Sequence, residues 1–305
     1  DGRVERVLEY RSPAAHRPDE RPSHTFKAAT FTADTAFLCT QTEVLLCDLP
    51  SFAIRRVISL PCFNDLHHVT PAPDGTLYVA VTGLDAVAQL SPEGELLRLV
   101  GTLGQDPWER FSKDVDYRKI PTTKPHHSHP NYVFFLDGRP WVTRFHQRDA
   151  VPLDGGAEPF PIAIEGVHDG HLQGGHLHFT TVDGHLVRHL AGTAPGARRE
   201  AETFDLNPPP LPDTPPLGWC RGVLPVDERA WVGFTRIRFT TLRKNLSFVR
   251  HGFKESADHR QRPTRIGLYD IGRAEGDRAL LLEEVDLEPA GMGAVFSLHG
   301  RSETG

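Results

Sequence analysis

The chain has 305 residues, 38% hydrophobic and 24% charged, enough to bury a sizeable core without disulfide or metal staples. Its 34 Lys and Arg against 40 Asp and Glu give a formal charge of −6, which offers no basic stripe for nucleic acid or for an anionic membrane. No apolar run approaches the roughly 18 residues that span a bilayer. The first residues, Asp1-Gly2-Arg3-Val4-Glu5, do not read as a signal peptide, so a cytoplasmic location is expected. Cys39, Cys47, Cys62 and Cys220 form no CxxC pair and read as buried thiols of a reducing compartment, although Cys39 and Cys47 could bridge neighbouring strands. Asn245-Leu246-Ser247 fits a glycosylation sequon, a weak signal by itself. Seventeen histidines against five tyrosines and one methionine are the compositional oddity.

In chain order, helix signals are scarce, and 26 Pro and 27 Gly punctuate short alternating runs, which predicts an all-β chain. The clearest repeat starts at His68-Val69-Thr70, turns at Asp74-Gly75 and continues through Thr76–Val81 and Ala86–Leu90. It turns again at Pro92-Glu93-Gly94 and ends in Leu96–Val100. That is a four-stranded antiparallel meander with good hairpin turns. Further second strands are predicted around Phe37, Trp141, His178 and Trp231. With Tyr78 they are spaced by 41, 63, 37 and 53 residues. A basic period near ~40 with insertions is what radial four-stranded blades need. One β-propeller domain over 1–305 is expected, with five blades, or six if the two termini build one from Val4–Leu8 and Gly293–Leu298. A β-sandwich would not explain a repeat of this length.

Two long insertions interrupt the period, at about 101–128 and 237–263. The first holds Trp108, Phe111 and Tyr117; the second holds Arg238, Arg243, Phe248 and Phe253. Long aromatic loops on a rigid scaffold read as lids or binding walls, with flexible decoration as the plainer alternative. The stiff stretch Asn207–Pro216 reads as a connector between blades, and less readily as a ligand for a proline-binding module.

Histidines recur just before first strands: His67-His68, then His126-His127-Ser128-His129, then His168-Asp169-Gly170-His171. In a propeller the innermost strands line the central channel, so imidazoles from separate blades can converge there. Three such ligands with open positions suit a divalent transition metal, with Zn or Fe ahead of Cu. His68, His129 and His168 are the expected ligands, because each sits closest to a strand start. Asp169 or Glu165 would serve as a fourth ligand, an orienting group or a general base. Arg221 stands at another strand start, while Arg144 and Arg236 end equivalent second strands and could grip a carboxylate or phosphate. The plainer reading of each is a hydrogen-bonded channel histidine or a salt-bridged strand end. No HExxH, EF-hand, P-loop or GxSxG is present, so zincin, calcium-loop, nucleotide and hydrolase-elbow chemistry lack their usual support.

His68-Val69 through Asp74-Gly75-Thr76-Leu77-Tyr78-Val79-Ala80 resembles the NHL-type propeller blade. That superfamily includes the gluconolactonase-like hydrolases, streptogramin B lyase and the peptidylglycine amidating lyase. In the amidating lyase, histidines from separate blades hold a zinc on the channel axis, and the resemblance implies His68, His129 and His168 here. The expectation is thus a metal-dependent propeller enzyme acting on a small polar or anionic molecule. A zinc lyase or hydrolase and an iron oxygenase both fit. The rival is a metal-free binding module for a peptide, sugar or protein partner.

Overall fold

Residues 4–192, 200–209, 215–237 and 262–300 are described by the computed structural model. Turn residues break the chain into antiparallel meanders. The first comprises β1 (Thr30–Phe31), β2 (Thr35–Cys39), β3 (Val44–Asp48) and β4 (Ala53–Ile58). The second holds β5 (Leu66–Pro71), β6 (Leu77–Val81), β7 (Ala86–Leu90) and β8 (Leu96–Gly101). The third holds β9 (Pro130–Leu136), β10 (Arg139–Arg144), β11 (Asp149–Pro152) and β12 (Phe160–Pro161).

The remaining strands are β13 (His171–Gln173), β14 (His176–Thr181), β15 (His185–Leu190), β16 (Ala201–Asp205), β17 (Trp219–Val226), β18 (Arg229–Thr235), β19 (Arg265–Glu275) and β20 (Arg278–Asp286). They form one eight-stranded sheet in the order β13-β14-β15-β16-β20-β19-β18-β17. It is two four-stranded meanders whose sheet ladders meet, among the described residues, at a parallel bridge between Asp205 and Arg278. Phe37, Tyr78, Trp141, His178 and Trp231 fall on β2, β6, β10, β14 and β18, each the second strand of its meander.

Burial explains how the meanders are arranged. β2 and β6 are buried along their whole length, whereas the outermost β4 and β20 are mostly exposed. First strands of successive sheets lie against one another, as β5 does against β9, and the Ala28 amide donates to the His67 carbonyl at 3.0 Å. Apolar side chains fill the spaces between neighbouring sheets. Phe37 and Leu46 meet Val69 and Val79, Tyr132 and Trp141 join Leu177 and Phe179, and Leu186 and Phe204 meet Val223 and Phe234. Face-to-face packing of meanders around a line of inner strands is the β-propeller arrangement.

Neither terminus adds a strand among the described residues. The N-terminal Leu8, Tyr10 and Phe26 cover the first sheet beside Leu38 and Leu45. The C-terminal strap, 291–300, ties the last meander to the first. Val295 exchanges two hydrogen bonds with the Thr235 hydroxyl, at 2.9 and 3.1 Å, and Ser297 Oγ accepts from the Ala29 amide at 3.1 Å. A Cβ on Gly233 would sit 2.4 Å from Val295 Cγ1, so the strap lies in a groove that only glycine leaves open.

The insertion at 101–128 is part of the core. Trp108, Phe111, Tyr117 and Ile120 pack against the cluster between the first two sheets, and Asn64 Nδ2 donates to the carbonyls of Tyr117 and Ile120 at 2.8 and 2.7 Å. Nearly all of the insertion at 237–263, with Arg238, Arg243, Phe248, Phe253 and the sequon at Asn245, lies outside the described residues, as does the middle of the proline-rich stretch. All four cysteines are buried and free. Cys39 faces Val44 and Cys47 faces Ala36 across β2 and β3, so the two thiols occupy different rungs and form no bridge. No helix among the described residues is long and apolar enough to cross a membrane.

Candidate functional site

Polar side chains gather at the leading ends of the innermost strands, where backbone irregularities turn them inward. The β5–β6 register slips between Leu66 and His68, and the β17–β18 register slips between Cys220 and Val223. Such bulges leave a residue unpaired and re-aim it. In β5 that residue is His67, and in β17 the slip spans Arg221 and Gly222.

The imidazoles that meet there belong to His67, His129 and His168. The His67 ring lies 4.9 Å from that of His129 and 6.5 Å from that of His168, centre to centre. Phe145 packs beside both partners, at 5.2 and 5.4 Å. Asn131 Nδ2 donates to the Val167 carbonyl at 2.7 Å, which orients its amide oxygen toward His67 Nδ1. That assignment puts the His67 proton on Nδ1 and leaves Nε2 facing Asp65 Oδ1 at 3.4 Å. Lys27 Nζ lies 3.7 Å from the same oxygen. Burial pulls the His67 imidazole below its ordinary value against the pull of Asp65. Burial alone would raise the Asp65 carboxyl, but His67 and Lys27 hold it well below the usual carboxylate range.

The loop before β9 is shaped by a carboxylate. Asp85 Oδ1 accepts the amides of Ser128 and His129 at 2.8 and 2.9 Å, and Oδ2 accepts the His127 amide and Arg110 Nη1, each at 2.7 Å. His129 is thereby held at φ +55°, a left-handed conformation uncommon for a residue with a Cβ. It brings His129 Nδ1 to 3.0 Å from His126 Nδ1. Burial holds both imidazoles low, at about 4 for His126 and well below the ordinary value for His129. His168 is pushed well below by burial, with Arg221 adding to the effect. Its ring makes no hydrogen bond among the described residues.

The other expected site residues lie elsewhere or are occupied. His68, the alternate residue of the doublet, faces away from the cluster. Its Nδ1 accepts the Val133 amide at 3.1 Å, its Nε2 donates to Thr30 Oγ1 at 3.0 Å, and its ring stacks 3.7 Å from Tyr132. With both nitrogens engaged it is a structural histidine. His68→Ala is expected to cost about 2 kcal/mol in urea unfolding, mainly through the orphaned Val133 amide. Asp169 accepts from the Thr180 hydroxyl and from the Gly222 amide at 3.0 Å, pinning the fourth meander to β17. Burial pushes its carboxyl up to about 7. Arg144 gives its fork to Asp149 at 2.8 and 2.6 Å, and Arg236 pairs with Glu288 at 3.1 Å, so the expected pair of open arginines is not assembled. His146 is exposed, 6.0 Å from the His129 ring.

Arg221 is the exception among the arginines. It makes no ion pair among the described residues, and its Nε is buried without a partner. Its guanidinium lies 5.0 Å from the Phe296 ring centre and 5.8 Å from that of Trp219.

Neutral imidazoles are the chemistry a transition metal wants, but their arrangement does not form a ligand set. His68 is consumed by hydrogen bonds, His126 and His129 point nitrogens at each other, and no group of three His, Cys, Asp or Glu among the described residues is placed to hold a metal. The structure thus brings His67, rather than His68, together with His129 and His168. The doublet carries the signal that would have found it, because adjacent strand residues face opposite ways and Asp65 and His67 share a side. Nothing near Asp85 or Phe296 in the sequence marks either as part of the site. Toward the other end of the inner strands, a cavity of about 430 Å³ is lined by Thr30, Thr70, Tyr132, Phe134 and His171, apart from the imidazole cluster.

Four-stranded meanders ranged around a channel, with polar groups collected at one end of the inner strands, define a β-propeller with a channel-end site. No family model and no curated protein matches the chain. Among solved structures it is similar to a Bacteroides caccae protein of unknown function, at 11% identity and a TM-score of 0.52 over 92% of this chain and 86% of that one. It is also similar to virginiamycin B lyase from Staphylococcus aureus, at 13% identity and a TM-score of 0.46 over 69% of this chain and 66% of that one, just under two thirds of the lyase. A streptogramin B lyase aligns at 12% identity and a TM-score of 0.46, over 88% and 85% of the two chains. These are likenesses of fold.

Proposed function

We propose that this channel end is an acid–base catalytic site for a small polar molecule, carried on a five-bladed propeller formed by a single domain. The observation behind it is the meeting of three buried, neutral imidazoles from three sheets, one paired with a carboxylate and one with its ring free. His67 is the base of this reading: Asn131 holds its Nδ1 proton, Nε2 takes up a proton from the substrate, and the Asp65 carboxylate beside Nε2 stabilises the imidazolium that forms. The proton taken up by His67 is returned to the leaving group, which the neutral His168 ring can hydrogen-bond, and Phe145 packs beside the His129 and His168 rings. That division of roles suits elimination, as in a lyase, or hydrolysis with a water in place of the substrate proton.

The test is turnover of a panel of β-substituted acids, lactones and small esters. A substrate found there should be processed at least about 100-fold more slowly by His67→Gln, the lower range for a lost general base. Turnover unchanged in that variant sinks the assignment. A panel member that binds at the channel end without being turned over points to the metal-free binding module instead. A second reading, with Zn, Fe or Cu on His67, His129 and His168, draws support from the neutrality of these rings. It requires the rings to reorient. Elemental analysis of protein purified without a histidine tag reads it directly, since near-stoichiometric metal lost in the triple alanine variant would establish it.

A further inference from the structure

We propose that Arg221 and Lys27, walled by Phe296, form the seat for a single carboxylate on the molecule that enters this channel end. The inference rests on the same site as the acid–base reading, and it adds the class of ligand. Three other largely buried arginines have carboxylate partners: Arg144 with Asp149, Arg188 with Glu202, and Arg265 with Glu284. Arg221 has none among the described residues, and its Nε is both buried and unbonded. A desolvated guanidinium without an anion is costly, and an arriving carboxylate relieves that cost. Lys27 Nζ stands 5.0 Å from the same Phe296 ring that Arg221 approaches at 5.0 Å, so one aromatic ring lies beside both cations.

The charge count selects the ligand. The two cations are met by one ionised carboxylate, Asp65, at 3.7 Å from Lys27. The nearby histidines are neutral, and Asp169, which accepts from Thr180 and Gly222, is pushed up to about 7 by burial and carries only part of a negative charge at neutral pH. At most one unit of positive charge is left over, which suits a monoanion better than a phosphate dianion. The planar Arg221 fork matches two carboxylate oxygens. Phe296 arrives on the C-terminal strap, which Ser297 anchors to Ala29.

The test uses the full chain, with acetate and lactate as probes and inorganic phosphate and methylammonium as comparators, at constant ionic strength. Calorimetry measures binding, and Trp219 fluorescence reports it, because the indole lies 5.8 Å from the Arg221 guanidinium. Saturable carboxylate binding is expected, weakened about tenfold or more in Arg221→Gln, the loss of a charge-assisted pair. Lys27→Met should weaken it too, and serves alone if Arg221→Gln does not fold. No saturable carboxylate binding, tighter phosphate binding, or wild-type affinity in a folded variant overturns the proposal. Carboxylate binding is read without turnover, and the turnover loss of His67→Gln is read without carboxylate titration, so the seat and the proton-transfer reading fail separately.

Discussion

Replacing Asp85 with Ala is expected to lower the unfolding free energy by about 3–5 kcal/mol, the range for breaking a buried ion pair by removing one partner. The carboxylate is 8% exposed and receives three successive backbone amides, those of His127, Ser128 and His129, together with Arg110. Without it those amides lose their acceptor, and nothing compensates the left-handed strain at His129. Urea unfolding measures the loss, and a change under about 1 kcal/mol would show that the loop holds its shape by other means. Acid should act in the same direction. Burial pushes the Asp85 carboxyl up, but the three amides outweigh it and hold the group below the usual carboxylate range. A group whose folded pKa lies below its unfolded value, ~3.9, stabilises the fold above that value. The contribution is then lost as pH falls through the folded pKa. Wild-type stability should therefore decline on that acid limb more steeply than the stability of Asp85→Asn. Equal slopes would show that the carboxylate is not the titrating clamp.

Ending the chain after Gly291 is expected to cost about 3 kcal/mol and to loosen the join between the last meander and the first. Burying a valine side chain contributes about 1.5–3 kcal/mol, and each hydrogen bond about 0.5–1.5. The strap supplies Val295, at 5% exposure, two bonds to Thr235 and one to Ala29. Ordering an irregular segment offsets part of that sum. Hydrogen exchange gives the sharper reading, because the amides of Ala29 and of β18 should lose protection before those of β6 and β10. Uniform protection in the shortened chain would show that the ring closes without the strap. Carboxylate binding should also weaken, since Phe296 leaves with the strap.

The strand pattern was readable because a four-stranded meander is a local object. Tyr78 and Trp141 mark second strands through alternation and turn residues within a few positions of themselves, and so does His178 despite its polarity. The gathering of histidines at inner-strand starts was readable too, because His67, His129 and His168 each stand just ahead of or at the start of a first strand. The choice between His67 and His68 was not. A bulge in β5 decides it, and a bulge arises from the pairing of two strands and the packing of Val69 beneath them, which no local spacing encodes. The open state of Arg221 and the closed state of Arg144 follow the same logic. One reads as a strand-start and the other as a strand-end arginine, and only the fold brings Asp149 to Arg144 and leaves Phe296 beside Arg221. Composition and periodicity thus settled the class of architecture and the strand ends at which histidines gather. Long-range contacts, Asp85 reaching 44 residues ahead to His129 and Ser297 reaching back 268 to Ala29, decided which side chains share that end.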